Sequence, residues 1–228
     1  DFVVIGGGLV GLAIAKTFSE DSIGVVLEKE KNILSSTSSR NSEVIHSGIY
    51  YQKESLKSKL CTEGKNKLYE YCHVKNIKSK NCGKLIISND MSSEKIESLY
   101  NNGICNGIDD LILLEKKEIN YYESQINANY AIYSPSSGVL DTHTFGESLV
   151  SDIEKNDGLV LRLTEFISAE ESGECIKVKV RNPDETEYEF LTKCLINFAG
   201  HDALRIEKKL PFGFDVSHLE DFPIKGNY

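Results

Sequence analysis

The sequence has no tryptophan, one methionine and four prolines among its 228 residues. No apolar run approaches the roughly 20 residues that a membrane-crossing helix needs, so no segment reads as transmembrane. The six cysteines, Cys61, Cys72, Cys82, Cys105, Cys175 and Cys194, form no C-x-x-C pair and no Cys/His cluster at zinc spacing. They read as ordinary thiols of a reduced intracellular compartment, and no metal site is expected. Positive charge is also scarce: 26 Lys and Arg stand against 35 Asp and Glu, a formal net charge of −9. That balance argues against nucleic acid as a partner and against a generally basic membrane-binding surface, while leaving room for a local positive patch. Internal repeats, low-complexity tracts and flexible linkers are absent. The chain starts at Asp1, not Met, inside its first core strand, and is therefore expected to be a trimmed piece whose own amino terminus, with any targeting peptide, lies outside it.

What the chain does have is a glycine turn at its start. Phe2, Val3, Val4 and Ile5 read as a strand that leads into Gly6, Gly7 and Gly8, and the helix that follows carries Gly11 one turn in. This is G-x-G-x-x-G between strand and helix, where helix-start amides and the helix dipole hold a pyrophosphate. Gly6 permits the turn, Gly8 lets a phosphate approach the backbone, and Gly11 lets the helix lie close on the strand. A second strand, Gly24 to Leu27, ends on Glu28, a carboxylate 17 residues past Gly11. That spacing is near the roughly 20 residues of the acid that accepts hydrogen bonds from a ribose. The bland alternative is a tight packing turn with a solvated Glu28.

The length suits one large or two small domains. After the second strand the chain does not return at once to the same sheet. A polar loop, Ser35 to Ser42, leads to Glu43 through Tyr51, then to a helix expected from about Ser55 to Asn76. Gly83 to Ser88 and Tyr130 to Ser134 read as strands, and Ser92 to Asn102 and Thr142 to Asn156 as helices. Short strands follow at 159–164, 176–181 and 188–191. Cys194 to Phe198 reads as a buried strand ended by Ala199 and Gly200, with a helix from about Asp202 to Leu210. This last unit repeats the opening one in miniature and is expected to lie beside it.

Several side chains could carry chemistry. Arg40, Asn41 and Ser42 offer a guanidinium, an amide and a hydroxyl just after the second strand, which suits a pyrophosphate or a polar ring edge, and equally suits a capped surface helix. His46, followed by Ser47 and Gly48, is the side chain best matched to proton abstraction near neutral pH, although a lone histidine among apolar neighbours is more often a core residue. Tyr50 and Tyr51 could orient a substrate carboxylate or simply pack. Lys84 is a candidate cation for an anionic substrate, and His143, beside Asp141, is a second candidate base or a plain first-turn helix residue. Asn197, Ala199 and Gly200 could bring backbone close to a cofactor, or be small for helix packing.

Together these stretches resemble the FAD-dependent oxidoreductases of the D-amino-acid oxidase superfamily, above all those that oxidise L-2-hydroxyglutarate. The match is carried by Val4 to Gly11 with Glu28, by SRNSEVIHSGIYY (39–51), by CGKLI (82–86), by YSPSSGVLDTH (133–143) and by INFAGHDA (196–203). Phe198 stands where a small residue or Cys is common. The resemblance implies a mixed α/β and α+β fold: an interrupted Rossmann-like FAD-binding sheet with an interleaved, incomplete substrate domain. Residues 1–80 and 141–210 would form the FAD-binding domain, 81–140 the substrate domain, and 211–228 the start of a return to it. The chain would be the amino-terminal part of a longer protein. The implied reaction is FAD-dependent oxidation at carbon 2 of a 2-hydroxyacid, with His46 as catalytic base. The implied cofactor set is Gly6, Gly8, Gly11, Glu28, Arg40, Asn41, Ser42, His46, Ser47 and Gly48. Lys29, Phe166, Asn197, Ala199 and Gly200 complete the expected set. Tyr50, Tyr51, Lys84 and His143 are the expected substrate contacts. Electrons would pass on to a quinone, a carrier protein or oxygen, and a mitochondrial location would fit a eukaryotic source. Two alternatives stay open: a related flavoenzyme acting on glycerol-3-phosphate or an amino acid, and a nucleotide-binding chain without turnover.

Overall fold

The computed structural model describes residues 1–219. In chain order the elements are β1 (Phe2–Ile5), α1 (Leu9–Phe18), β2 (Gly24–Leu27), β3 (Val44–Ile45), α2 (Leu56–Val74), β4 (Ser79–Lys80) and β5 (Lys84–Ser88). Then come α3 (Glu94–Cys105), β6 (Ile112–Glu115), α4 (Lys116–Tyr122), β7 (Tyr130–Ser134), β8 (Gly138–Leu140) and α5 (Thr142–Lys155). The described chain closes with β9 (Leu159–Leu161), β10 (Glu165–Ser172), β11 (Cys175–Arg181), β12 (Glu187–Thr192), β13 (Cys194–Asn197) and α6 (Ala203–Glu207). These divide into two compact units, residues 1–42 with 142–228, and residues 43–141.

The first unit is built on a parallel sheet of order β13-β1-β2-β9. All four residues of β1 are buried, as a strand covered on both faces requires, and each such side chain contributes about 1.5–3 kcal/mol of burial. β13 pairs in parallel with β1, in register Phe2 with Cys194 through Ile5 with Asn197, so the late strand does return to the first one. A second sheet, β10-β11-β12, is antiparallel and two-faced. Ala169, Val178 and Val180 turn inward onto Val3 and Leu27. Lys177 and Lys179 alternate with the valines and pair with Glu170, Glu189 and Glu187 on the other face. The strand expected at 159–164 is shorter, β9 over Leu159–Leu161, and β10 follows it; no strand is expected from the run EFISAEES, because its acidic outer face masks the alternation. The helix expected over 202–210 is shorter: a 3-10 turn, Gly200–Asp202, precedes α6.

The second unit holds the antiparallel sheets β5-β7-β6 and β3-β8-β4 with α2, α3 and α4. Its core gathers Ile49, Ile96, Ile108, Leu111 and Ile132. The chain enters this unit after Ser42, not near residue 80. The reason is a long-range pairing: β3 bonds to β8, Val44 opposite Val139. Along α2, Thr62 donates to the Asn106 carbonyl, Lys65 to the Ser136 hydroxyl and Tyr69 to the Ser136 carbonyl. Of the segment expected at 211–228, residues 220–228 lie outside the described part.

Candidate functional site

Two concave sites stand out, one in each unit. The first is a cavity of about 1110 Å³ at the carboxyl ends of β1, β2 and β13, slightly above the usual 300–1,000 Å³ of small-molecule sites. The glycine turn forms its floor. Gly6 has φ +108°, and a Cβ there would collide with the Phe198 carbonyl. A Cβ on Gly11 would collide with the Gly6 carbonyl, so the helix can lie this close to the turn only because that position is bare. Glu28, at the end of β2, is tied to the turn: the Gly7 amide donates to its Oε2 at 2.8 Å and the Glu30 amide to its Oε1 at 2.8 Å. Each carboxylate oxygen keeps a further acceptor position, and Glu28 lines the cavity. Ser38 Oγ accepts the Leu9 amide at 3.0 Å, at the first turn of α1.

The rim of this cavity is charged. Lys29, Arg40, Arg181, Arg205 and Lys209 line it against Glu28, Glu30, Glu165 and Asp202, so the local balance is positive by one although the chain is strongly acidic. Lys29 donates to Asp202 at 2.7 Å. That hydrogen bond raises the Lys29 ammonium above, and lowers the Asp202 carboxyl below, their ordinary values. Phe166, Asn197, Ala199 and Gly200 also line the cavity. The Asn197 amide is engaged in the turn itself: it donates to the Ala203 carbonyl at 2.8 Å and its oxygen accepts the Ala199 amide at 3.3 Å. Asn41 and Ser42 do not line the cavity; Asn41 instead donates to the Ser38 carbonyl at 2.7 Å and so shapes the loop. His143 is exposed on α5 and lines neither site.

The second site is a shallow cleft within residues 43–141 with room for only about 10 Å³, lined by His46, Ser47, Gly48, Ile49, Tyr50, Tyr51, Lys84 and Ser137. It brings together every expected substrate residue except His143. Lys84 Nζ lies 4.9 Å from the centre of the Tyr50 ring, a cation–π contact. His46 is exposed by surface area, yet partial desolvation of its ring, and then the Lys84 charge, lower the imidazole below its ordinary value. Beneath the cleft, Ser47, Ser134 and Ser137 are buried and joined through their hydroxyls at 3.0–3.4 Å. Gly48 has φ +100° and packs against Thr62 and Cys61 of α2, which is why the chain can turn there. Sequence reasoning passed over Gly7, Ser38 and Ser137. Gly7 could have been found, since its amide is the one aimed at the acid after β2; Ser137 carries no local signal.

A family model described as FAD dependent oxidoreductase matches residues 1–228. The chain belongs to this family. FAD is the family's cofactor. Among similar proteins is the mitochondrial L-2-hydroxyglutarate dehydrogenase of Homo sapiens, 42% identical over 166 residues that make up 71% of this chain and 36% of the human one. That of Pongo abelii is 38% identical over 198 residues, 85% of this chain and 46% of its own. The chain thus spans less than half the length of either relative. Among solved structures, the FAD-bound, dithionite-reduced L-α-glycerophosphate oxidase of Mycoplasma pneumoniae superposes with a TM-score of 0.84 at 26% identity, over 92% of this chain and 56% of the other. Glycine oxidase of Geobacillus kaustophilus, at 16% identity and TM-score 0.79 over 92% of this chain and 57% of its own, shares the fold. Among the described residues no helix is long and apolar enough to cross a membrane.

Proposed function

We propose that the protein oxidises L-2-hydroxyglutarate to 2-oxoglutarate with FAD as its electron acceptor. The observation that carries this reading is the convergence of His46, Lys84, Tyr50 and Tyr51 on one cleft. A base, a cation and two hydroxyls are what a 2-hydroxy dicarboxylate needs for proton removal and for docking its carboxylates. The relatives' name supplies the substrate, and their mitochondrial designation supplies a location.

The residues of the first unit, as the FAD-binding domain, fit the cofactor. The bare glycines would admit a pyrophosphate to the amides at the start of α1. Glu28 would accept from ribose hydroxyls with the lone pairs that Gly7 and Glu30 leave unused. Lys29, Arg40, Phe166, Ala199 and Gly200 would line the rest, with Asn197 holding the turn they sit on. Asn41, Ser42, Ser47 and Gly48 as cofactor contacts rest on the family resemblance alone. When bound, FAD supplies the acceptor for the two electrons and the hydrogen that leave carbon 2.

The second unit, as the substrate domain, would handle the proton and the charge. His46, kept neutral by desolvation and by Lys84, is ready to take the substrate's hydroxyl proton near pH 7. Lys84 would pair with a carboxylate, a local counter-charge that a dianion requires in a chain of net charge −9. Tyr50 and Tyr51 would donate to the same or the second carboxylate. The onward acceptor, whether quinone, carrier protein or oxygen, is a partner of the whole protein.

A second reading, oxidation of glycerol-3-phosphate, is favoured by the likeness to the Mycoplasma pneumoniae oxidase; Lys84 would serve a phosphate as well as a carboxylate. Anaerobic addition of each compound to full-length, FAD-loaded protein separates the two. L-2-Hydroxyglutarate is expected to bleach the flavin absorbance. Bleaching by glycerol-3-phosphate alone would install the second reading, and bleaching by neither would remove both.

A further inference from the structure

The segment that carries His46, Tyr50 and Tyr51 lies between the end of β3 at Ile45 and the start of α2 at Leu56, outside both helix and sheet. Its one backbone bond within 46–51 is weak, from the Tyr51 amide to the Gly48 carbonyl at 3.4 Å. Two asparagines at the end of α3 donate to the carbonyls of Gly48, Ile49 and Tyr51. Asn102 Nδ2 donates to Ile49 at 2.7 Å and to Tyr51 at 2.9 Å. Asn106 Nδ2, at the C-cap just past α3, donates to Gly48 at 3.1 Å and to Tyr51 at 2.8 Å. Asn106 Oδ1 is buried without a partner. An amide kept with one end unpaired is a costly way to gain stability alone, because an apolar side chain of the same shape would avoid that desolvation. What only the amide provides is a pair of donors aimed at two carbonyls.

We propose that Asn102 and Asn106 are positioning residues: by gripping the carbonyls of Gly48, Ile49 and Tyr51, they set where His46 stands in the cleft. Neither asparagine lines the cleft. This rests on the reading of His46 as the proton acceptor. The groups facing His46 are Lys84 of β5, Tyr50 and Tyr51 of its own segment, and Cys61 of α2, whose thiol donates to the His46 carbonyl at 3.5 Å. Loosening the segment lets the ring drift from Lys84, and losing that charge raises its affinity for a proton.

The test compares rates of anaerobic flavin reduction by saturating L-2-hydroxyglutarate in full-length, FAD-loaded protein. Asn102→Ala and Asn106→Ala are each made in the wild-type and in the His46→Gln background. Each is expected to slow reduction by about 10-fold or more, within the roughly 10²-fold that an ångström of misplacement costs. In the His46→Gln background neither should slow it further, because the effect passes through a group already gone. The acid limb of kcat/KM should move to higher pH in both single variants. Equal slowing in both backgrounds, or a lower melting temperature with rate and acid limb unchanged, overturns the proposal. If Asn106→Ala does not retain FAD, Asn102→Ser is judged by the same two readouts. A His46→Gln protein that reduces at the wild-type rate removes the base and the clamp's purpose together, an outcome distinct from a slow His46→Gln protein with unimpaired asparagine variants.

Discussion

In the cavity of the first unit the groups that matter are backbone: the Gly7 amide on Glu28, the Leu9 amide on Ser38, and the bare edges of Gly6 and Gly11. In the cleft of the second unit they are side chains, and the backbone beneath them is held by other side chains from α3. The two designs differ in what a substitution does. A backbone cradle depends on the absence of atoms, so it is broken by adding one methyl. A side-chain cleft depends on a few functional groups, so it is broken by removing one. On the proposed reading, the first arrangement would suit a bulky ligand of fixed shape, and the second a small anion whose proton is taken at one atom.

The largest expected effect lies in the cleft. His46→Gln keeps a polar group but loses the base, and flavin reduction by L-2-hydroxyglutarate should slow by about 10² to 10⁴. Stopped-flow reduction at an unaltered FAD content decides it; a wild-type rate would leave the cleft without its chemistry and erase the contrast. Next comes the cradle. Gly6→Ala forces a side chain into φ +108° and against the Phe198 carbonyl, a cost of about 3 kcal/mol. Denaturant unfolding should register it together with a lowered FAD content, whereas a stable, fully yellow protein would mean that the turn is not tight.

Glu28 sharpens the comparison because it is a side chain that closes on the backbone cradle at Gly7. Glu28→Ala should weaken FAD binding by about 1–3 kcal/mol, and Glu28→Gln, which keeps an acceptor, by less. Titration of apoprotein with FAD measures both, and unchanged affinity in the pair would return Glu28 to a structural role at Gly7. The smallest effect concerns pH. His46 sits below its reference value of 6.5 because of desolvation and then Lys84. Lys84→Met removes the second cause, so the pKa rises and the acid limb of the rate profile moves to higher pH. The same depressed value makes the folded state lose stability as pH falls below 6.5 toward the folded pKa, since the unfolded chain takes the proton more readily. An acid limb that stays in place in Lys84→Met would show that the ammonium does not reach the ring.

The elements that sequence made legible are those whose cause is local. Ser55 caps α2 through the Ser58 amide, as its place before a helical pattern suggests. The strand Tyr130–Ser134 stands with its expected bounds. The elements left unassigned include β3, β4 and β8, which are two or three residues long, and β6, α4 and β10, which are short or carry polar outer faces whose burial pattern appears only once a partner strand covers one side. The first domain boundary was displaced for a similar reason: α2 has a plain helical pattern, but which unit it joins depends on Lys65 and Tyr69 reaching Ser136, 71 and 67 residues away.

The sequence by itself determined the glycine turn, the acid after β2 and the return of a late strand, because strand, turn and helix are written in neighbouring residues and obey steric limits that hold in any fold. Only the tertiary structure decided that Lys84 shares a cleft with His46, that Ser137 lines it, and that Asn106 grips Gly48 from 58 residues away. No local rule encodes such meetings, since a hydrogen bond between distant side chains exists only after the sheets that carry them have paired.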